Sequence, residues 1–395
     1  MGKKRFAPPK PGYAAAGDFL RAACALMVGW YHIWQQSWLS PIIQLGPVRL
    51  DLTAPVRAGY MFVDLMLVLS GFLTYLPYAR ERERSPGAFY LKRAARILPS
   101  YWLCLTAMLG FAVFSPDFSD PGRLAEDLLA HLGFVHNLFF LSYTQTRLNV
   151  VLWTLAVEVQ FYLILPALGP VFRRWPIQTY LAMTAAGLAC MFLWTAPLPD
   201  TTLYVNRLPN MLVVYANGML AAHFYPRLAR VKRRRALVSC LATLACLAAA
   251  WGIWRLIADQ SHVSGYESVR MGQLERRFPL SACGAVFLLG GSLSLKPLRA
   301  LLSNPVTRFL SGISFNFYIW HQWLAVQLKK WRIPPYIAEM DPNRAGEMPW
   351  QRNYTLLCFG AAFVLAVLVT WLVEKPCAGR IGKLGEKRLA DPSPK

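Results

Sequence analysis

The sequence predicts an all-α, polytopic membrane protein of about ten transmembrane helices. Of its 395 residues, 55% are hydrophobic and only 16% are charged, whereas about a quarter of the residues in soluble domains are charged. The hydrophobic residues are also gathered into runs of roughly 18–23 residues, the length at which a helix crosses the hydrocarbon core of a bilayer. Together these two observations exclude a soluble protein.

The hydrophobic runs follow one another along the whole chain, separated by charged or proline-rich loops. The predicted spans are 18–38, 58–79, 97–115, 150–171, 177–195, 208–225, 236–257, 278–295, 308–329 and 354–374. A further run, 130–143, is too short to cross and is interrupted by His131, His136 and Asn137. We expect a re-entrant or interfacial segment there.

The positive charges predict the orientation. The net charge is +22, and its basic clusters all fall in loops on the same side as the N-terminus, as expected for cytoplasmic loops. No nucleic-acid motif accompanies them, so we expect no nucleic-acid partner, and attraction to anionic lipid accounts for the bulk of the charge. The clusters are Lys3–Arg5, Arg80–Arg96, Arg173–Arg174, Arg230–Arg235 and Lys383–Arg388.

We expect one membrane domain over residues 15–377, between cytoplasmic tails over 1–14 and 378–395. We expect no cleavable signal peptide, because prolines rather than a small-residue cleavage site precede the first span. The expected location is the inner (plasma) membrane, with both termini cytoplasmic. The eight cysteines predict neither a disulfide framework nor a metal site, since seven fall in or beside spans and their spacing fits no zinc motif.

An arginine and a histidine lie eleven residues apart in the first span, as Arg21 and His32. Eleven residues of helix make about three full turns, so both side chains lie on one face, about 16 Å apart along the axis. Ionisable residues inside a membrane span are costly and therefore indicate a functional site.

Four ionisable residues fall at one depth when the spans are oriented as above. His32, Asp64, Glu158 and His321 all lie roughly 9–12 Å below the outer ends of their helices, at about 1.5 Å per residue. Each could separately be a structural hydrogen-bond partner, but their shared depth predicts a cluster. Histidine is the best general base near neutral pH, and a carboxylate can hold its tautomer. We therefore assign His32 as catalytic, with Asp64 or Glu158 orienting it.

The basic segment before the third span carries Arg93 and Arg96, three residues apart. Arginine binds phosphates through a planar fork of donors. A phosphorylated cofactor arriving from the cytoplasm would meet these arginines and Arg21. A purely topological role for the same residues is the alternative.

Six motifs, in order, resemble the acyltransferase-3 family of integral-membrane acyltransferases. In the opening motif ten residues separate an arginine from a histidine, and the second motif contains the VLSGF signature. A basic approach to the third span, a tryptophan-to-glutamate helix and two C-terminal segments follow. In this sequence the motifs read DFLRAACALMVGWYH, VDLMLVLSGFL, KRAARILPSYW, WTLAVEVQFYLILP, ISFNFYIWHQWL and VEKP.

The resemblance implies about ten core helices and the transfer of an acyl group, usually acetyl, from cytoplasmic acyl-coenzyme A to a hydroxyl. The acceptors typical of the family are sugars of the cell envelope or secondary metabolites. Arg21 and His32 match its essential motif residues. Three departures, Ala22, Val159 and the pair Met66–Leu67, leave the acceptor open.

Taken together, these observations predict a transmembrane O-acyltransferase that uses acetyl-CoA or another acyl-CoA and no metal. His32, Asp64 and Glu158 are the predicted catalytic residues, while Arg21, Arg93 and Arg96 bind the donor. Trp153, Tyr162 and His321 are assigned to substrate binding. The expected partners are membrane lipid and a glycan or lipid-linked saccharide. Two other classes remain: a transporter or flippase of a lipid-linked glycan without acyl transfer, and a structural or sensory membrane protein. Whether His32 is the base or a covalent carrier stays open.

Overall fold

The computed structural model describes residues 14–81, 85–115, 120–231, 233–337 and 340–381. The predicted clusters Lys3–Arg5 and Lys383–Arg388 lie outside the described residues, as do nearly all residues of both tails. The helices are α1 (Ala16–Ser37), α2 (Thr53–Arg57), α3 (Phe62–Ala79), α4 (Pro86–Val113), α5 (Pro121–Leu132), α6 (Phe140–Thr144), α7 (Trp153–Arg174), α8 (Pro176–Ala189), α9 (Leu208–Ala229), α10 (Arg235–Ser261), α11 (Tyr266–Leu293), α12 (Lys296–Leu302), α13 (Pro305–Lys330) and α14 (Met348–Val369). The strands are β1 (Ile42–Leu45) and β2 (Val48–Asp51).

The protein is a multi-pass helical membrane protein. In the described part of the chain, six helical segments are long and apolar enough to cross a bilayer, and a bent pair made of α11 with α12 and α13 brings the number to seven. Each predicted span coincides with a helix. The helices α1 and α9 are not among these segments, and α11 and α13 count only as parts of the bent pair.

Helix α4 begins eleven residues before the predicted span. Ser85 caps it by accepting a hydrogen bond from the backbone N–H of Ala88 at 3.3 Å, and Pro86 occupies the first helical turn. This is the ordinary chemistry of a helix N-terminus. The sequence placed Arg93 and Arg96 in the segment before the third span. In the structure both lie within helix α4.

Two further elements differ from the predicted loops. Helix α11 begins at Tyr266, inside the predicted loop 258–277. The antiparallel hairpin of β1 and β2 follows α1, and all of its residues are exposed. In the expected re-entrant run, the structure has the end of α5, one turn of 3₁₀ helix and the short helix α6.

The described residues form two compact units. The first contains residues from 1–31, 40–82 and 168–314, and α3 packs there against α9 and α11. A Cβ on Gly218 would lie 2.2 Å from the carbonyl oxygen of Val68, so only glycine permits this approach of α9 to α3. Asn217 donates to Ser281 Oγ at 2.8 Å. Small residues and interhelical hydrogen bonds of this kind are the usual means of packing membrane helices.

The second unit contains residues from 32–39, 83–167 and 315–395. Its apolar core includes Ile33, Ala325, Tyr354 and Cys358. Asn316 donates to Glu374 Oε2 at 2.7 Å. The C-terminal part of α13 is thus held against α14 and the turn that follows it, and α13 presents His321 from this frame.

Candidate active site

Two histidines of the second unit are in direct contact. His32 Nδ1 lies 2.8 Å from His321 Nε2, and the two rings are nearly parallel, at 14°, with centroids 5.0 Å apart. His321 is completely buried, whereas His32 is half-buried. The sequence predicted a cluster from the common depth of these residues without saying which of them touch, and the structure places these two histidines in contact.

The backbone around His321 determines which nitrogens carry protons. His321 Nδ1 lies 2.6 Å from the carbonyl oxygen of Tyr318, and a carbonyl can only accept, so Nδ1 carries the hydrogen. Nε2 of a neutral His321 is then an acceptor, and His32 must donate to it from Nδ1. The Nε2 atom of His32 consequently carries a lone pair. That atom can accept a proton or attack a carbonyl carbon.

Three of the predicted site residues form a second cluster in the same unit. Tyr162 donates a hydrogen bond to Glu158 Oε1, one turn earlier on α7. The guanidinium carbon of Arg93 lies 5.2 Å from the centre of the Tyr162 ring and 5.6 Å from that of Phe89. Arg93 Nε is buried without a hydrogen-bond partner among the described residues. The positive charge of Arg93 is therefore stabilised by the two aromatic rings beside it.

The two other predicted donor-binding arginines are half-buried. Arg96 lies on α4 three residues after Arg93, and residues at that spacing are neighbours on one helix face. Arg21 lies on α1 in the first unit. Because α1 is one continuous helix, Arg21 and His32 share a face, as the spacing predicts.

The structure pairs Asp64 with a residue that sequence reasoning missed. In the first unit, Arg277 Nε donates to Asp64 Oδ2 at 3.2 Å, and both side chains are completely buried. Arg277 also donates to the carbonyl oxygen of Val205 at 2.6 Å and to Asn206 Oδ1 at 3.2 Å. A buried ion pair of this kind is tolerated because further hydrogen bonds satisfy its remaining donors. Arg277 stood at the end of a predicted loop, so its charge gave no signal.

A third cluster of ionisable groups precedes α7. Asp127 Oδ1 lies 3.0 Å from His131 Nδ1, and the rings of His131 and His136 stack with centroids 3.9 Å apart. All three side chains are buried. Burial and then the neighbouring His131 lower the pKa of His136 to about 3, so it is neutral at physiological pH. The sequence marked both histidines only as interruptions of a hydrophobic run.

The remaining predicted substrate residue, Trp153, begins α7 and packs edge-on against Tyr143 at 6.3 Å between ring centroids. Within the described ranges, no group of three His, Cys, Asp or Glu side chains is arranged to hold a metal ion.

Comparison with known proteins identifies relatives. The peptidoglycan O-acetyltransferase OatA of Listeria monocytogenes is 24% identical over 92% of this chain and 56% of its own length. The exopolysaccharide production protein ExoZ of Rhizobium meliloti is 25% identical over 67% of this chain and 75% of its own. The O-acetyltransferase OatA of Staphylococcus aureus is 28% identical over 40% of this chain and 24% of its own. The chain thus spans little more than half the length of the Listeria relative.

No solved structure matches the chain. The model of a membrane acyltransferase family, described as an acyltransferase domain, matches residues 15–375. That range contains the histidine pair, the Arg93–Tyr162–Glu158 cluster and every helix from α1 to α14. The chain therefore belongs to the acyltransferase-3 family.

Proposed function

We propose that this protein transfers an acyl group, acetyl in the first instance, from cytoplasmic acyl-CoA to a hydroxyl of a cell-envelope glycan. Membership of the family supports the reaction class. The relatives named as O-acetyltransferases and as an exopolysaccharide production protein support a glycan acceptor. The observation that carries the proposal is the hydrogen bond from His32 to His321, because it gives His32 the tautomer that a general base needs.

In this mechanism His32 acts through its Nε2 atom. Nε2 removes the proton from the acceptor hydroxyl, and the acceptor oxygen forms a bond to the thioester carbonyl carbon. The carbon–sulfur bond breaks, and the departing thiolate of coenzyme A receives the proton from His32. His321 orients the ring, because the Nδ1 atom of His32 already donates to it. That Asp64 or Glu158 helps to orient His32 stays a prediction. An alternative is that Nε2 first takes the acyl group itself.

The proposed donor-binding residues are Arg21, Arg93 and Arg96. Arg93 supports this role best, since aromatic rings hold its guanidinium group while its buried Nε has no partner among the described residues. A phosphate oxygen would satisfy that donor with a charge-assisted hydrogen bond. Arg21 lies about 16 Å before His32 along α1, close to the reach of a pantetheine arm, and this spacing supports its role.

We also propose about ten membrane crossings within one membrane domain over residues 15–377. In this arrangement α1, α9, α11 and α13 also cross, with their polar residues facing other helices and not lipid. The protein would lie in the inner membrane with both termini in the cytoplasm, as the basic loops indicate.

Turnover by purified protein tests the proposal against a transport role. The protein in uncharged detergent is given acetyl-CoA, with or without candidate glycans, and free thiol is measured. We expect thiol release that increases with an acceptor and an equal amount of acetyl ester on the glycan. A protein that moves a lipid-linked glycan in vesicles but releases no thiol would instead be a flippase.

A further inference from the structure

A cleft of about 770 Å³ opens beside the second half of α13, wholly within the second unit. It is lined by the C-terminal end of α4, by the segment 146–150 before α7 and by one face of α13 from Gln322 to Trp331. None of the predicted substrate residues lines it. Its size is that of a site for a ligand of several rings.

One wall of the cleft is aromatic. Phe111 of α4 packs against Trp323 at 4.7 Å and against Trp331 at 5.9 Å between ring centroids. Trp331 remains about half exposed, at 48%. Indole rings are large, rigid and amphipathic, and their faces match the C–H faces of sugar rings.

Other residues that line the cleft are polar or positively charged. Gln322 Oε1 is buried without a hydrogen-bond partner in the described part of the chain, and such an orphaned acceptor calls for a donor. A sugar hydroxyl is a donor of the right kind. Arg147 and Lys330 also line the cleft, and the described lining residues include no Asp or Glu. The cleft therefore favours a ligand that carries both hydroxyls and negative charge.

The cleft also has a definite relation to the histidine pair. Gln322 follows His321 directly, and Lys330 lies eight residues further along α13. Eight residues of helix rise about 12 Å. A ligand in the cleft would thus have one end at the level of His321 and the other at the positive end of α13, a length that suits a short oligosaccharide.

We propose that this cleft binds the acceptor as an oligosaccharide whose sugars bear carboxylates. The sugar rings stack on the exposed Trp331, the hydroxyls bond to Gln322, and Arg147 and Lys330 hold the carboxylates. This inference rests on the proposed acyl transfer and adds to it the acceptor class and its binding residues. An anionic lipid shares the negative charge, and the binding experiment below distinguishes it from a sugar.

Binding to purified protein in uncharged detergent tests the charge. A muramic-acid-containing disaccharide and a glucuronic acid oligomer are titrated separately by calorimetry, each beside its carboxyl-reduced counterpart. We expect one or both acids to bind at least about tenfold more tightly than the reduced form, the difference that a charge-assisted hydrogen bond supplies. Equal binding of acid and reduced forms, or no binding of either sugar, would overturn the proposal. So would full displacement of the bound acid by phosphatidylglycerol at low concentration.

Variants locate the binding in the cleft. Lys330→Gln should weaken binding of the acids about tenfold and leave the reduced sugars unchanged, while Trp331→Ala should weaken both forms. The matched controls are Arg352→Gln and Trp194→Ala, which replace exposed residues outside the cleft. Unfolding temperatures equal to that of the wild type show that the variants fold. Cleft variants that bind like their controls would contradict the assignment.

A second readout separates this inference from the proposed function. The KM for the acceptor should increase in Lys330→Gln, whereas the control Arg352→Gln, outside the cleft, should release thiol and use the acceptor as the wild type does. If the wild type releases no thiol under any condition, the acyltransferase proposal fails. If the wild type does release thiol and Lys330→Gln has a normal acceptor KM, only the cleft assignment fails.

Discussion

At the scale of single residues, His321 acts on His32 by accepting its Nδ1 hydrogen at 2.8 Å. His321→Leu removes the acceptor and should lower kcat by about 10–100-fold, the loss seen when residues that orient metal-bound histidines are removed. His321→Gln should restore part of the activity, because its amide oxygen also accepts. The measurement is kcat and acceptor KM for both variants. Equal losses in Leu and Gln variants would mean that His321 is needed only for packing.

A second residue-scale prediction concerns Asp127. Its carboxylate accepts from Thr146 Oγ1 at 2.8 Å and from the backbone N–H of Arg147 at 3.0 Å, besides its contact with His131. Asp127→Ala leaves these partly buried donors without that partner, which should cost about 1 kcal/mol of stability for each. Thermal unfolding in detergent measures the loss. Glu126→Ala, an exposed neighbour on α5, should have no effect, and an equal loss there would refute the explanation.

The sequence could predict the depth of the reactive residues but not their contacts. Depth follows from the position along a helix, whereas contact also needs the direction around the helix axis and the identity of the facing helix. His32 and His321 were thus placed in one layer and in one expected cluster, but which members of the cluster touch was not predicted. Arg277 was missed for a related reason: at the end of a predicted loop its charge is expected to be solvated, and in the structure it is buried against Asp64.

At the scale of elements, α4 presents the proposed donor site. Arg93→Ala with Arg96→Ala should raise the KM for acyl-CoA and leave the acceptor KM nearly unchanged, because only the donor carries phosphates. Replacing Arg93 by lysine instead of alanine should restore the KM for acyl-CoA only in part, since lysine lacks the bidentate fork. Lys92→Ala, an exposed neighbour on α4, is the control. A change confined to the acceptor KM would place the donor elsewhere.

The elements also show where hydropathy alone is insufficient. A helix lies at each predicted span, but α4 starts eleven residues before its span, because Ser85 and Pro86 form an N-terminal cap outside the apolar run. The hairpin of β1 and β2 was missed because each strand has four residues, all exposed, and buries no apolar face. Its turn contains Gly46 at a φ of +59°, a local signal that hydropathy does not register.

At the scale of the whole molecule, the proposed topology places residues 330–353 outside and 226–235 in the cytoplasm. Exposed positions in each loop allow a matched pair of cysteine substitutions, Arg344→Cys and Arg233→Cys. An impermeant thiol reagent applied to intact cells should label the first and not the second, since the reagent cannot cross the bilayer to reach a cytoplasmic loop. Opening the membrane should make Arg233→Cys reactive. Labelling in the reverse pattern would show that the orientation is inverted.

The most direct measurement compares His32→Ala with the wild type in transfer of labelled acetyl from acetyl-CoA to glycan. Loss of a general base should lower the rate by roughly 10²–10⁴-fold, and loss of a covalent carrier by more, while the unfolding temperature stays near that of the wild type. His262→Ala, at an exposed position after α10, should transfer acetyl normally. A folded His32→Ala protein with near-normal transfer would contradict the account.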